Sequence, residues 1–180
     1  CALAKSTVRR VPRNQFNVRA IRPAERFHLD LIGKFKDQSL GGAYYALVIV
    51  DDFTRFTAVY PIPNKSSQTV ADKFKEFIAQ YCCNMKMPNS VMTDWGSEFD
   101  GAFAVYCREN RIQMRKSCPY RAYQNGLVER ANRSLSRIAR AMMLDAEMGP
   151  EFWALALMHS AWMLNRVCHM NDMNRANQMT

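Results

Sequence analysis

Histidine is scarce in this chain, with three among 180 residues. His28, His159 and His169 have no partner at zinc-ligand spacing, and the six cysteines include no Cys-x-x-Cys pair, so no complete zinc site can be read from the sequence. Cys82 and Cys83 are adjacent, and several cysteines lie in apolar runs, which fits reduced, buried thiols better than a disulfide framework. Long apolar runs are also missing. The best, Phe152 to Leu164, is thirteen residues long and holds His159 and Ser160, too short and too polar for a membrane span. No charged segment leads into an apolar one at the start, which predicts no signal peptide, and a first residue that is Cys rather than Met reads as a piece of something longer. Acidic charge is the last shortage: 16 Asp and Glu face 25 Lys and Arg, for a net charge of +9.

The excess of positive charge is concentrated. Residues 1 to 26 carry seven basic side chains and one acid, residues 108 to 140 carry nine and two, and the rest of the chain is net acidic. Two basic blocks on a faintly acidic body suit a polyanion-binding surface, although either block alone is equally well a solvated face that aids solubility. At 48% hydrophobic, the chain can build one domain with a full core.

Periodicity supplies the elements. Residues 1 to 26, with Pro12 and Pro23, lack a repeat and predict an extended basic arm. Phe27 to Leu31 is a short strand, Tyr44 to Val50 a central one, and Phe56 to Tyr60 follows closely enough to pair antiparallel before Pro61 and Pro63 stop it. Ser66 or Ser67 caps a helix with Val70, Phe74, Phe77 and Ile78 at helical spacing. A strand at Ser90 to Thr93, a helix from about Ala102 to Glu109 and a strand from Ile112 to Lys116 follow. Leu127 to Ala146 reads as a long amphipathic helix, and Pro150 fits the first turn of another that runs to about Asn165. Three strands followed by alternating helices and strands predict an α/β domain with a mixed sheet.

Three acids stand out in this frame. Asp30 and Asp94 end short apolar runs and Glu129 begins the long helix, so folding can gather all three. Carboxylate oxygens with few imidazoles suit Mg²⁺ better than zinc. On the long helix Arg130, Arg133, Arg137 and Arg140 are spaced three, four and three, a ridge of like charge that is unfavourable in isolation and sensible beside phosphates. Taken alone, Glu129 fits a surface salt bridge with Arg133, four residues on, better than a catalytic role. Asp51 and Asp52 read as strand-end hydrogen-bonding groups, Glu98 as a neighbour of the acids, and Trp153 and Trp162 as packing residues of the last helix.

The segment Pro119 to Leu135 (PYRAYQNGLVERANRSL) resembles the region of the third catalytic acid in integrases of copia-type LTR retrotransposons. Val50-Asp-Asp-Phe-Thr-Arg55 and Phe152 to Arg166 resemble two further motifs of that group, in the same order, and the likeness covers nearly all of the chain from Phe27 onward. The spacing agrees: Asp30 to Asp94 is 64 positions, and 34 residues separate Asp94 from Glu129, one fewer than the family's usual 35.

The resemblance implies a ribonuclease H-like fold, a mixed five-stranded sheet flanked by helices. It divides the chain into an arm at 1–26 following a truncated zinc-binding module, a catalytic core at 27–166 and a tail at 167–180. Asp30, Asp94 and Glu129 become the catalytic acids and the ligands of two Mg²⁺ or Mn²⁺ ions, Asp30 bridging both. The implied chemistry is 3′-end processing of retrotransposon DNA followed by strand transfer into target DNA, with no covalent enzyme intermediate. The DNA contacts would be Gln124, Asn125 and Gly126, in a mobile loop before the helix, together with Arg130, Arg133, Arg137 and Arg140. Cys1 would be the last ligand of the truncated zinc module. Partners are the element's DNA ends, target DNA and other copies of the chain, with no membrane; the setting is the nucleus, after virus-like particles in the cytoplasm. Trp95 departs from the family, which usually has Asn or another small polar residue there, and a bulky indole at that point predicts a crowded site. A decayed or host-adopted fragment that binds DNA without cutting is therefore the alternative of another class, and a bacterial insertion-sequence transposase the alternative enzyme.

Overall fold

The computed structural model describes residues 19–82, 86–116 and 126–166. Its strands are β1 (Arg26–Ile32), β2 (Tyr45–Asp51), β3 (Thr57–Ile62), β4 (Ser90–Thr93) and β5 (Gln113–Lys116), and its helices α1 (Ser67–Tyr81), α2 (Ala102–Glu109), α3 (Gly126–Asp145) and α4 (Trp153–Leu164). They form the expected mixed five-stranded sheet, in the order β3-β2-β1-β4-β5. β1, β2 and β3 pair antiparallel, as short connections allow, whereas β4 and β5 join in parallel through helical crossovers.

β2 is apolar on both faces because both are covered. Leu47 and Ile49 meet Phe74 and Phe77 of α1 and Phe103 of α2 in one core. Ala46, Val48 and Val50 meet Val128 and Leu135 of α3 and Trp153 and Leu157 of α4 in the other. Strand alternation then decides where the acids can go. On β1, Phe27 and Leu29 face the α1 and α2 core, so His28 and Asp30 face the α3 side of the sheet.

Local chemistry explains most boundaries. Ser66 caps α1 by accepting the Thr69 N–H at 3.2 Å. Ser67 hydrogen-bonds to the Asp100 carbonyl and accepts the Phe103 N–H, tying the starts of α1 and α2 together. Asn165, just past α4, accepts the Thr57 N–H and donates to the Thr57 carbonyl, both at 2.8 Å, and so anchors α4 to β3.

Three expectations change. Pro61 does not stop β3 but lies within it, opposite Ala46, which an edge strand tolerates because not every residue must donate to the ladder. Gly126 belongs to α3 rather than to a loop before it; it is buried, and its backbone is not among the positive-φ positions. Trp153 packs as expected, stacked on Phe35 at 3.9 Å and donating to the Asp37 carbonyl. Trp162 does not: it is 52% exposed on the outer face of α4, with Arg166 over its ring. Within the proposed arm, Ala20 and Ala24 are buried, held by side chains at the end of β2.

Candidate active site

Asp30 sits on β1 opposite Val48, on the face that α3 covers. One of its oxygens accepts the Leu31 N–H at 2.9 Å, and the other accepts the Asn132 side-chain N–H at 2.8 Å. Asn132 follows Glu129 by three on α3 and so lies on the same helix face. Its own Oδ1 is buried without a hydrogen-bond partner, so this amide is committed to Asp30 at some cost. Burial pushes the Asp30 carboxyl up to about 6; the Leu31 N–H opposes this, and the negative charges of Asp94, Glu129 and Glu98 add to the rise. The fold therefore brings the charges of the other two predicted acids, Asp94 and Glu129, to bear on Asp30.

Asp94 follows β4, and its Oδ1 accepts the Gly96 N–H at 3.0 Å, which fixes the turn after the strand. Gly96 has a local purpose. A Cβ there would come to 2.5 Å from the Glu98 carboxyl carbon, so the absence of a side chain lets Glu98 fold back over the turn. Glu98 is thus a fourth acid of the group. Among the described residues, however, no three His, Cys, Asp or Glu side chains stand close enough together to grip an ion as they are. The donors nonetheless fit the expected group: carboxylate oxygens, with the negative charges of Asp94, Glu129 and Glu98 converging on Asp30, a concentration that a hard cation would neutralise. Asn132 belongs here beyond the predicted set, and Glu98 takes the place by the acids expected of it from the sequence. The three-residue step from Glu129 was the available signal for Asn132, as the four-residue step from Asp94 was for Glu98.

The Arg ridge is present. Arg130, Arg133, Arg137 and Arg140 are all exposed, opposite the buried Val128, Leu135 and Ala139. Glu129 forms no salt bridge with Arg133 among the described residues, whose ion pairs lie elsewhere. Gln124, Asn125 and Cys1 lie outside the described residues. Trp95, expected to crowd the acids, is 62% exposed, with the Lys116 ammonium 5.1 Å from its ring centre.

Asp51 and Asp52 form a contrasting pair at the other end of β1. Asp51 is fully buried and accepts from the Ala24 and Phe53 N–H groups and from the Thr54 and Tyr81 hydroxyls. Asp52 accepts from the Ala20 N–H and from Arg55, with Arg26 and His28 each 3.7 Å away. Burial pushes the Asp52 carboxyl up, but His28, the Ala20 N–H and Arg55 outweigh it and hold it well below the usual range. These are the strand-end groups the sequence predicted.

Residues 20–122 match the integrase core domain family. The chain is 28% identical over 140 residues to the retrovirus-related Pol polyprotein from transposon TNT 1-94 of Nicotiana tabacum, an alignment covering 76% of this chain and 10% of that polyprotein. It spans about a tenth of the length of the curated relatives it matches. Its fold is similar to a chain of the simian T-cell lymphotropic virus intasome in complex with a PP2A regulatory subunit, at TM-score 0.71 and 22% identity, covering 89% of this chain and 55% of that one. It is also similar to the HTLV-2 integrase catalytic core domain in complex with magnesium, at TM-score 0.64 and 21% identity, covering 85% and 93%. With a family match that spans more than half of it and this ribonuclease H-like fold, the chain belongs to the integrase core domain family.

Proposed function

We propose that this chain is the catalytic core of a copia-type retrotransposon integrase, which processes the 3′ ends of the element's DNA and joins them to target DNA by metal-dependent transesterification. The observation that carries the reading is the partly buried Asp30 carboxyl, which accepts from Asn132 and is raised by burial and then by the charges of Asp94, Glu129 and Glu98. Asp30, Asp94 and Glu129 would hold two Mg²⁺ or Mn²⁺ ions, which supply charge stabilisation for the attacking and leaving oxygens of an in-line displacement. The magnesium in the HTLV-2 core supports that assignment. The chain's own residues prepare the site: Asn132 orients Asp30, the Gly96 N–H orients Asp94, and the exposed arginines of α3 meet the phosphate backbone. DNA ends and target DNA are the partners, more than one copy of the chain acts on them, and the reaction takes place in the nucleus.

Strand transfer in Mg²⁺ tests this reading. Asp94→Asn should abolish joining while leaving the protein folded, and joining that survives the substitution would overturn it. The spacing of the acids and the departure at Trp95 favour a second reading, a DNA-binding relic that does not cut. Calorimetric Mg²⁺ titration separates the two, since a relic shows no binding that depends on Asp30.

A further inference from the structure

The two faces of the sheet are covered unequally. On one side α1 and α2 pack over it, with Val91 of β4 and Met114 of β5 in their core. On the other, α3 lies on β1 and β2 and α4 on β3, and Gln113 and Arg115 of β5 are exposed. Register sets which side chains stand there. Val91 pairs with Met114 and Met92 with Arg115, so Arg115 shares the α3 side of the sheet with His28 and Asp30. It lies two strands across from Asp30 and two residues back, roughly 12 Å by ordinary strand spacing and rise.

The Arg115 guanidinium is braced. Its Nε and Nη2 donate to the Gln113 Oε1 at 3.1 and 2.9 Å, which leaves the Nη1 edge for another acceptor. A neutral amide fixes direction without cancelling charge, and among the described residues Arg115 makes no ion pair. An edge strand needs only a charge to discourage pairing with another sheet, so the bracing calls for a different reason. The neighbouring helix points to one. Val128 and Leu135 of α3 face β2, Asn132 is turned from them towards Asp30 on β1, and the flank turned further the same way carries the exposed Arg133 towards β4.

We propose that the open face of β4 and β5 beside α3 is a track for a DNA strand, in which Arg115 grips a phosphate near the one that reacts and Gln113 positions the guanidinium. The inference rests on the function proposed above and adds a phosphate contact outside α3. A guanidinium fork matches phosphate oxygens, and bracing it beforehand lowers the entropy lost on binding. Arg133 on the helix and Arg115 on the sheet flank the track with like charge, and the acids lie at its end. The phosphate belongs either to the element's end or to the target strand. Both present the same chemistry.

DNA binding by the whole chain at several salt concentrations, with single phosphates replaced by neutral methylphosphonates in the element's end or in the target, tests the inference. Arg115→Ala should weaken binding about 10-fold and reduce the slope of log affinity against log salt by about 1. Gln113→Ala should weaken binding less and leave that slope unchanged, since the charge remains. Arg108→Ala, which removes the same charge from α2 on the other side of the sheet, should change neither. A methylphosphonate at the gripped position should remove the difference between the natural protein and Arg115→Ala, and the DNA in which it does so identifies the source of the phosphate. Arg115→Ala with unchanged affinity and slope overturns the inference. So does an equal loss in Arg108→Ala, which would be an effect of net charge alone, or an Arg115→Ala deficit that persists undiminished at every neutralised phosphate. Asp94→Asn separates this failure from that of the parent reading. If the natural protein joins DNA, Asp94→Asn does not, and Arg115→Ala binds as the natural protein does, only the track fails; if the natural protein binds no DNA at all, both fall.

Discussion

Asp30 and Asp51 lie on neighbouring strands, and both are largely withdrawn from water, yet their surroundings are opposite. Asp51 receives four hydrogen bonds, two of them from the backbone N–H groups of Ala24 and Phe53. Asp30 receives two and is pressed by three like charges. Satisfied acids hold a fold together, whereas an acid surrounded by other acids costs stability and earns its place through something that binds it. The difference can be broken experimentally from either side.

The largest effect on folding is expected at Asp51. Asp51→Ala leaves the Ala24 and Phe53 N–H groups and two hydroxyls without their acceptor and should cost about 3 kcal/mol in denaturant unfolding. Burial and the nearby negative charge push the Tyr81 phenol up to about 12, so its hydroxyl remains a donor throughout any such experiment. Asp30→Asn should abolish strand transfer without lowering stability, because it removes a charge that its neighbours repel. Equal losses of stability at the two positions would erase the contrast.

Asn132 sharpens the comparison on the Asp30 side. Asn132→Ala removes the 2.8 Å donor that orients the Asp30 carboxylate, and the expected loss is roughly 10- to 100-fold in metal affinity or activity, the usual scale for a residue that orients a ligand. The same substitution also removes the buried, unpartnered Oδ1, so stability should change little. A fall in stability as large as that at Asp51 would make Asn132 a structural residue instead.

The two acids of opposite pKa shift predict a pH signature smaller than either loss. Asp30 titrates at about 6 when folded and near 4 when unfolded, so the folded state holds its proton more tightly. Its contribution to stability is complete below about pH 4 and is lost as pH rises towards 6. Asp52 has the reverse sign, with a lowered carboxyl whose contribution is present above about pH 4 and is lost as the solution is acidified further. Chemical denaturation across this range should show a decline in stability between pH 4 and 6 that Asp30→Asn removes and Asp52→Asn leaves in place.

How much of this could be read beforehand follows the range of the forces involved. Alternation and helical period placed β1, β2, α1 and α3 nearly to the residue, and Asp51 and Asp52 were recognisable because strand-end acids answer to their immediate neighbours. Pro61 was misjudged because edge position is a property of the sheet, unknown until the strand order is known. Trp162 was misjudged because α4 is apolar nearly all round and its period does not say which face is covered. In the site, the placement of Asp30 on β1 and of Glu129 on α3 was legible from local motifs, while the grip of Asn132 on Asp30 spans 102 positions and needed the packing of α3 on β1.

The arginines repeat the contrast between the acids. Arg26 and Arg55 approach Asp52 at 3.7 and 3.0 Å, whereas the four exposed arginines of α3 form no ion pair among the described residues. A guanidinium spent on a carboxylate has no counterions to release to DNA, while one waiting on a helix face does. Arg137→Ala should therefore weaken binding to any DNA sequence and reduce the slope of log affinity against log salt by about 1. Arg55→Ala should leave that slope unchanged and lower stability instead, since it withdraws a partner from a buried carboxylate. Salt-dependent binding measured on both variants distinguishes the two kinds of arginine, and an unchanged slope in Arg137→Ala would remove the ridge from the DNA-binding surface.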